Sequence, residues 1–441
     1  MNFNRYKNLS ARLRTIQPSS SQSMPNREAR VSWLGLPPVD WSLTLVGVCV
    51  YTFVILTFKL NAATVGVAIG AVGILLQKEK VRLPFPVWLF GAFLLWAFVG
   101  ALQSPYRDYA LVNVLDYLKL LVILVVAVNA FQTEGQLRFY LLVVLGCFVL
   151  FPVRFALVGY VMGGNVLANR LVSYQMYANS NDFATLSLLA LGIAMAVTFS
   201  GSTWTLARLG AGFSAFALLV VILLTQSRGA FIGLVVGMGP ALVLIGAKRP
   251  GRLIVYGGII ALVIGLAIPS SAWERLSGMA NLTSSSTIAR ADPEGSAAQR
   301  FEVLKAGWYM LLDHPVFGVG LGTYAVANAT YAPHVGMYVA HNTYLSVAAE
   351  TGVPGFILWL ACIGSVLRYA YRIRRHAAPS ALATQQSWIE RGFFAFLLAA
   401  TFGSYSQLIL LYLMLSALWC SATLLASASP QVKGAARGER A

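Results

Sequence analysis

Long apolar runs recur along almost the whole chain and leave little room for any other architecture. Of the 441 residues, 58% are hydrophobic and only 11% are charged, whereas soluble domains carry about 25% charged residues. A helix needs about 20 apolar residues to cross a bilayer. Because lipid offers no partner for backbone N–H and C=O groups, each run must be helical. The sequence therefore predicts an all-α polytopic membrane protein without a separate soluble domain.

The apolar runs divide the chain into two membrane blocks. About twelve runs are long enough to serve as spans, and they fall near residues 41–58, 61–77, 85–103, 109–130, 138–162, 183–199, 205–225, 229–247, 253–270, 342–367, 388–402 and 405–427. We expect nine spans within residues 41–270 and three within residues 342–427. Residues 271–341 would form one long loop between the blocks. Residues 1–40 and 428–441 are expected to be polar cytoplasmic tails.

The basic residues indicate how the chain is oriented. The net charge of +17 would suggest a nucleic-acid partner in a soluble protein. Here we interpret it as orientation charge and as attraction to anionic lipid headgroups, with no nucleic-acid partner. If the N-terminus is inside, most of the 32 lysines and arginines fall on inner connections and tails. This bias favours cytoplasmic termini and places the 271–341 loop on the outer face.

The second half of the long loop contains a predicted amphipathic helix. Ser296 and Gln299 have the spacing of a capping box, which predicts a helix that runs to about Asp313. One apolar stripe follows this helix and consists of Phe301, Leu304, Trp308, Leu311 and Leu312. We expect the stripe to lie on the membrane surface or to pack on the spans. The preceding residues 281–296 are polar and contain glycine, so we expect them to be mobile.

Two arginines on the outer face are candidate phosphate ligands. Arg228 lies between two apolar runs in TQSRGAFIGL, and Arg300 lies in the first turn of the predicted loop helix. A guanidinium group can bind phosphate with two parallel hydrogen bonds. The alternative interpretations are that Arg228 extends to lipid headgroups and that Arg300 is merely solvated. In the outer loop before residue 183, Arg170 could supply a third cation and Asn181 a polar contact.

Three of the four histidines, His314, His334 and His341, lie in the long loop or at its end. His341 precedes Asn342 at the start of a span and is the best candidate for a general base, because a histidine pKa lies near ambient pH. A purely structural role for it is the alternative. We regard His334 as the weaker candidate base and His314 as support for the turn that follows it.

Other polar residues have simpler interpretations. Asp116 and Lys119 lie three residues apart in one run and are expected to pair on one helix face. Glu350 is expected either to pair with an arginine of the site or to hold a helix bend near Pro354. The four cysteines lie in apolar runs and are interpreted as small buried residues. No metal-binding motif, P-loop or dinucleotide fingerprint occurs on the outer face, so no metal or cofactor is expected.

Several segments, taken in order, resemble the O-antigen ligase and O-antigen polymerase superfamily. They are TQSRGAFIGL, then R-F-x(6)-W beginning at Arg300, then HPVFGVGLGTY and HNTYLSVAAETGVPG. The upstream RLVSYQMYANSNDFATL is similar to an outer-loop segment of that family. The resemblance covers roughly residues 165–365.

The resemblance implies a GT-C-like membrane glycosyltransferase in the bacterial inner membrane, with its active site facing the periplasm. It implies an inverting, metal-independent transfer of O-antigen from undecaprenyl diphosphate to a hydroxyl acceptor. In the ligase branch the acceptor is lipid A–core oligosaccharide. Carried over by motif, Arg228 and Arg300 would hold the diphosphate, with Arg170, Asn181 and Asn342 as further substrate contacts, and His341 would be the base.

Several alternatives to an O-antigen ligase stay open at this stage. An O-antigen or exopolysaccharide polymerase would use a second lipid-linked glycan as acceptor, and a protein O-oligosaccharyltransferase would use a protein. A transporter of lipid-linked sugars belongs to a different class. It would need polar residues inside the spans and internal repeats, and Asp116 and Lys119 are the only buried candidates that we identify.

Overall fold

The computed structural model describes residues 39–59, 62–201, 205–248 and 296–428. The predicted ninth span at 253–270, residues 281–295 of the polar segment, and nearly all of both tails lie outside these ranges. The described helices are α1 (Leu43–Thr57), α2 (Ala63–Leu76), α3 (Phe85–Gln103), α4 (Arg107–Ala130), α5 (Glu134–Phe148), α6 (Arg154–Val161), α7 (Ser180–Phe199), α8 (Leu206–Leu224), α9 (Arg228–Lys248), α10 (Ser296–Asp313), α11 (Tyr324–Tyr331), α12 (Thr343–His376), α13 (Ala381–Ala399) and α14 (Ile409–Ala428).

The other described elements are short. A five-residue π-helical turn, Val149–Val153, joins α5 to α6 and contains Pro152, whose missing N–H prevents a regular helix at this point. The strands β1 (Val166–Leu167) and β2 (Arg170–Leu171) form a small antiparallel hairpin. Two 3-10 turns, Gln175–Tyr177 and Ala400–Phe402, complete the set.

The all-α polytopic architecture is confirmed. Among the described residues, seven helical segments are long and apolar enough to cross a membrane: α3, α4, the α5–α6 segment, α7, α8, α12 and α14. Helices α1 and α2 are apolar but shorter. The total of about twelve spans stays a prediction.

Glycines allow several of these helices to pack closely. A side chain at Gly47 of α1 would overlap the backbone of Gly70 in α2, and a side chain at Gly192 of α7 would overlap Gly392 in α13. Within lipid there is little hydrophobic driving force between helices, so close backbone approach at small residues is a main source of association energy.

The helix bundle has two distinct ends. At the basic end, the N–H of Arg82 donates to Asn129 at 2.8 Å, and the side chain of Arg138 donates to Ser200 Oγ at 2.9 Å. At the opposite end, which we call the loop end, Ser104 Oγ after α3 donates to the carbonyl of Val319 at 2.5 Å. The loop end therefore gathers the segments that contain the candidate site residues.

The segment from His314 to Gly322 is docked onto a break in α12. The N–H groups of Val319 and Gly320 donate to the carbonyls of Ala349 and Glu350 at 2.9 and 3.0 Å. The N–H of Val353 donates back to the carbonyl of Pro315 at 2.8 Å. These bonds are possible because Gly352 leaves the helical conformation, with φ 68° and ψ −179°.

Gly352 has a conformation that is almost restricted to glycine, and a side chain there would overlap the backbone of Pro315 and Val316. We therefore expect Gly352→Ala to destabilise the protein by at least about 1–3 kcal/mol, measured as a lower apparent melting temperature in detergent. The matched control is Gly364→Ala on the same helix, where no atom lies within 4 Å of the added methyl group. Equal melting temperatures for the two variants would contradict this account of the break.

Candidate functional site

His341 occupies an unusual backbone position immediately before α12. Its φ is 49°, a left-handed value that is uncommon for residues other than glycine and that often marks functional sites. Asn342 follows as the helix N-cap, and its Oδ1 accepts a hydrogen bond from the N–H of Leu345 at 3.0 Å. The imidazole is half-buried, and its ring centre lies 5.5 Å from that of Tyr338.

The surroundings favour the neutral form of this histidine. Burial lowers the pKa of the His341 imidazole below its usual value of 6.5, and the Arg300 guanidinium lowers it further. Arg300 therefore lies close enough to act on His341 electrostatically. A neutral imidazole can accept a proton at ambient pH, as a general base requires.

Helix α10 brings Arg300 to this place. The loop helix predicted from Ser296 to Asp313 is confirmed. The side chains that pack against the protein are Val303, Ala306 and Met310, which form a small core with residues of α11 and α12. The hydroxyl of Tyr324 donates to the carbonyl of Val303 at 2.7 Å and ties α10 to α11.

The predicted apolar stripe of α10 is not the face that contacts the protein core. Phe301, Trp308 and Leu312 are 65%, 55% and 56% exposed. Of the two expected placements, packing on the spans is therefore wrong for these three residues. Placement on the membrane surface is consistent with their exposure.

Arg228 is the first residue of α9 and is half-buried. The turn that precedes it is held by Arg170, whose Nε donates to the carbonyl of Thr225 at 2.8 Å. The Nη2 of Arg170 donates to Asn181 Oδ1 at 2.5 Å. The structure thus joins Arg170 and Asn181 to each other and to the chain just before Arg228.

The connection between α13 and α14 links these parts of the loop end. We call Phe402–Tyr405 the 402–405 turn. The hydroxyl of Thr343 donates to the carbonyl of Gly403 at 2.7 Å and accepts the N–H of Tyr405 at 2.9 Å. A side chain at Gly229, next to Arg228, would overlap the ring of Phe402. The turn therefore contacts the start of α9 and also the start of α12, where His341 lies.

Tyr405 extends the same network to α7. Its hydroxyl donates to Asp182 Oδ1 at 2.9 Å, and Asp182 directly follows Asn181, the partner of Arg170. Thr343, Asp182 and the 402–405 turn were not predicted from the sequence. The available signal was the polar, glycine-containing break TFGSYSQ between two apolar runs.

Glu350 holds the bend in α12 and the segment docked on it. Its carboxylate is buried and accepts hydrogen bonds from the N–H of Tyr324, at 3.3 Å, and from the hydroxyl of Ser346. A backbone hydrogen bond from Gly322 adds a third donor. Of the two expected roles, the structure therefore supports the bend rather than a pair with an arginine of the site.

Asp116, Lys119 and His334 take no part in the contacts described above, whereas the carbonyl of His314 accepts the N–H of Gly318 at 2.9 Å in the turn that it was expected to support. Asp116 and Lys119 form the predicted pair at 2.7 Å, but their side chains are 53% and 71% exposed on α4 rather than buried. His334 is exposed and His314 is half-buried. Within the described ranges, no three His, Cys, Asp or Glu side chains are grouped so that they could hold a metal ion.

The cysteines are free, as interpreted from the sequence. Cys147, Cys362 and Cys420 are buried, and Cys49 is half-buried. None of them adjoins the loop-end contacts described above, so they contribute to helix packing rather than to the candidate site.

A bundle of apolar helices with a docked polar segment at one end defines a multi-pass membrane protein. Residues 213–360 match the family model described as O-antigen ligase. The match supports the resemblance of this segment to the O-antigen ligase superfamily. The matched segment contains Arg228, Arg300, His341 and Asn342. No curated protein matches the chain.

The electrostatic effect of Arg300 on His341 leads to a prediction about titration. Removal of the guanidinium removes a charge that disfavours the imidazolium, so Arg300→Gln should raise the His341 pKa toward its usual value. NMR titration of histidine-labelled protein measures it, with His341→Asn to assign the resonance. As control, Arg82→Gln at the basic end should leave the His341 pKa unchanged. An unchanged value in Arg300→Gln would show that the two side chains do not interact.

The two hydrogen bonds of the Thr343 hydroxyl to the 402–405 turn lead to a second prediction. Thr343→Val keeps the side-chain shape but leaves two backbone groups of the 402–405 turn without a partner, which should cost about 1–3 kcal/mol of stability. The control is Thr401→Val, whose hydroxyl bonds only to the carbonyl of Leu398 in its own turn of helix. Thermal unfolding in detergent should therefore distinguish the two. A loss in Thr401→Val as large as in Thr343→Val would argue against the linking role.

Proposed function

We propose that the protein is a glycosyltransferase that moves O-antigen from undecaprenyl diphosphate to lipid A–core oligosaccharide at the periplasmic face of the inner membrane. The observation that carries this proposal is the family match over residues 213–360, which contains Arg228, Arg300 and the half-buried His341. A cation beside a neutral imidazole suits a reaction in which an anionic group leaves while a hydroxyl loses its proton.

His341 would act as the general base. Its neutral ring nitrogen takes the proton of the acceptor hydroxyl as the hydroxyl oxygen attacks the anomeric carbon of the donor sugar. The bond between that carbon and the diphosphate oxygen breaks, and undecaprenyl diphosphate leaves with the bonding electrons. Attack opposite to the leaving group inverts the anomeric configuration. The left-handed backbone at His341 and the Asn342 cap fix the direction in which the imidazole projects.

Arg228 and Arg300 would stabilise the charge that develops on the diphosphate. A guanidinium group placed before the reaction needs no reorganisation as the charge appears, and a partly water-excluded site strengthens its effect. Arg228 also lies at the start of α9, where the helix macrodipole favours an anion. These two arginines would thereby supply the charge stabilisation without a metal ion.

The other candidate residues would act by positioning. Arg170 and Asn181 use their polar atoms to hold the turn before Arg228, and Asn342 caps α12. We therefore propose that Arg170 and Asn181 place the Arg228 guanidinium, and that Asn342 places His341. A direct contact with the glycan would require these side chains to exchange partners when substrate binds.

The direct test is transfer by the purified protein. The protein in detergent receives undecaprenyl-diphosphate glycan and lipid A–core with EDTA present, and products are followed by gel shift. We expect ligated product from the native protein. In Arg228→Ala, Arg300→Ala and His341→Ala the rate should fall by about 10²–10³-fold or more, while each variant still elutes as folded protein.

The control for charge is Lys305→Ala, an exposed cation one turn along α10 from Arg300, which should keep the native rate. Donor that lengthens without lipid A–core would instead indicate the polymerase of the same superfamily. Donor that binds without any reaction would favour a carrier of lipid-linked sugars. Native activity in Arg228→Ala or Arg300→Ala would refute the proposed role of that arginine.

A further inference from the structure

We propose that α10 is a membrane-docked helix, with its exposed apolar face in the headgroup–acyl boundary of the bilayer at the loop end. The inference concerns a surface that the proposed reaction does not use, and it holds whether or not the protein is a ligase. The occupant of the surface is lipid, and three independent observations support this choice.

The first observation is the depth of the chain at the end of α10. Phe317, four residues beyond the helix, stacks on Trp96 of α3 with ring centres 4.7 Å apart. Trp96 lies seven residues before the end of α3, which corresponds to about 10 Å along the helix axis. A 19-residue helix such as α3 needs nearly its full length to cross a hydrocarbon core of about 30 Å. Phe317 therefore lies below the membrane boundary, and the end of α10 lies close to it.

The second observation is the arrangement of side chains around α10. Successive residues of a helix are rotated by about 100°, so Phe301, Trp308 and Leu312 project on one side, whereas Val303 and Met310 project toward the protein. All three outward side chains are more than half exposed. In water, the second apolar face of such a helix would stay exposed to solvent. At a bilayer surface, protein covers one apolar face and lipid covers the other.

The polar residues of α10 agree with this placement. Glu302 and Asp313 project to a third side, away from the outward apolar residues, and Asp313 there accepts a hydrogen bond from the Tyr331 hydroxyl of α11 at 2.9 Å. Lys305 lies among the outward apolar residues and is exposed, so its stem can cover lipid while its ammonium group reaches the headgroups. Arg300 projects between the protein side and the lipid side. Docking would therefore hold the Arg300 guanidinium at headgroup depth.

The third observation is continuity with a surface that faces lipid. Residues Leu95, Phe98 and Leu102 of α3 are exposed apolar side chains on a membrane-spanning helix. Val316, in the segment that joins α10 to Phe317, is also exposed. Exposed apolar side chains are therefore found both on the span that Phe317 contacts and in the segment that leads from Phe317 back to Leu312 and Trp308.

Site-directed spin labels in lipid nanodiscs test the inference without any substrate. Single cysteines replace Trp308, Leu312 or Glu302 in a chain whose four native cysteines are alanine. We expect labels at 308 and 312 to be relaxed by oxygen, which partitions into acyl chains, and to be protected from a water-soluble nickel chelate. The label at 302 should show the opposite preference, with a ratio of oxygen to nickel accessibility that is several-fold lower.

Two results would overturn the inference. Nickel accessibility at 308 and 312 equal to that at 302 would place the face in water. Protection of 308 and 312 from both reagents would show that protein covers it, from elsewhere in this chain or from a second copy.

Trp308→Phe in the native chain provides a second measurement that needs no cysteine replacement. Brominated lipids should quench less fluorescence in this variant than in the native protein, and equal quenching would contradict docking.

Discussion

The loop end depends on a set of main-chain hydrogen bonds between the His314–Gly322 segment and the break in α12. Val319 and Gly320 donate to Ala349 and Glu350 of the helix, and Val353 donates back to Pro315. An interrupted helix inside a membrane protein leaves backbone groups without partners, and these must be satisfied by protein because lipid cannot do so. The docked segment satisfies them, so the break and the segment require each other. The same bonds fix the start of α12, and with it His341, relative to α10 and Arg300.

The 402–405 turn provides the other constraint on the site. It contacts the start of α9 through Phe402 and Gly229, and the start of α12 through the Thr343 hydroxyl. Through Tyr405 and Asp182 it also reaches α7, next to the partners of Arg170. Arg228 and His341 lie 113 residues apart in sequence, yet each adjoins an element that this one turn contacts. Arg228 and His341 are therefore placed by packed helix ends rather than by a free loop, and for the proposed reaction this would reduce the reorganisation needed when substrate binds.

Much of this arrangement could be predicted from the sequence because membrane insertion restricts the chain to helices. Apolar length alone identified every described span, and capping chemistry with periodicity identified α10. The limits of helices were less predictable. Helix α13 begins at Ala381 rather than near residue 388, and it contains the buried polar residues Gln386 and Glu390. The Gln386 amide donates to Glu390 and to the carbonyl of Ala370 in α12. Apolarity indicates where lipid is, and it does not indicate how far a helix continues within protein.

The candidate site, like the fold, was predictable from the sequence only in part. Motif order predicted Arg228, Arg300 and His341, whose roles stay predictions, and Arg300 acts electrostatically on His341. The role of Thr343 and of the 402–405 turn could not be predicted, because their hydrogen bonds join residues that are about 60 positions apart and leave no local pattern. Glu350 was ambiguous for a related reason, since only the folded chain shows that three donors from nearby segments surround it.

The proposed reaction requires Arg228, Arg300 and His341 to act on one donor molecule. The most direct measurement is an electron cryomicroscopy structure of the protein in nanodiscs with an undecaprenyl-diphosphate sugar bound. We expect diphosphate oxygens about 2.7–2.9 Å from both guanidinium groups, with the anomeric carbon between the diphosphate and the His341 ring. A diphosphate bound away from either arginine, or an anomeric carbon that the His341 imidazole cannot approach, would contradict it.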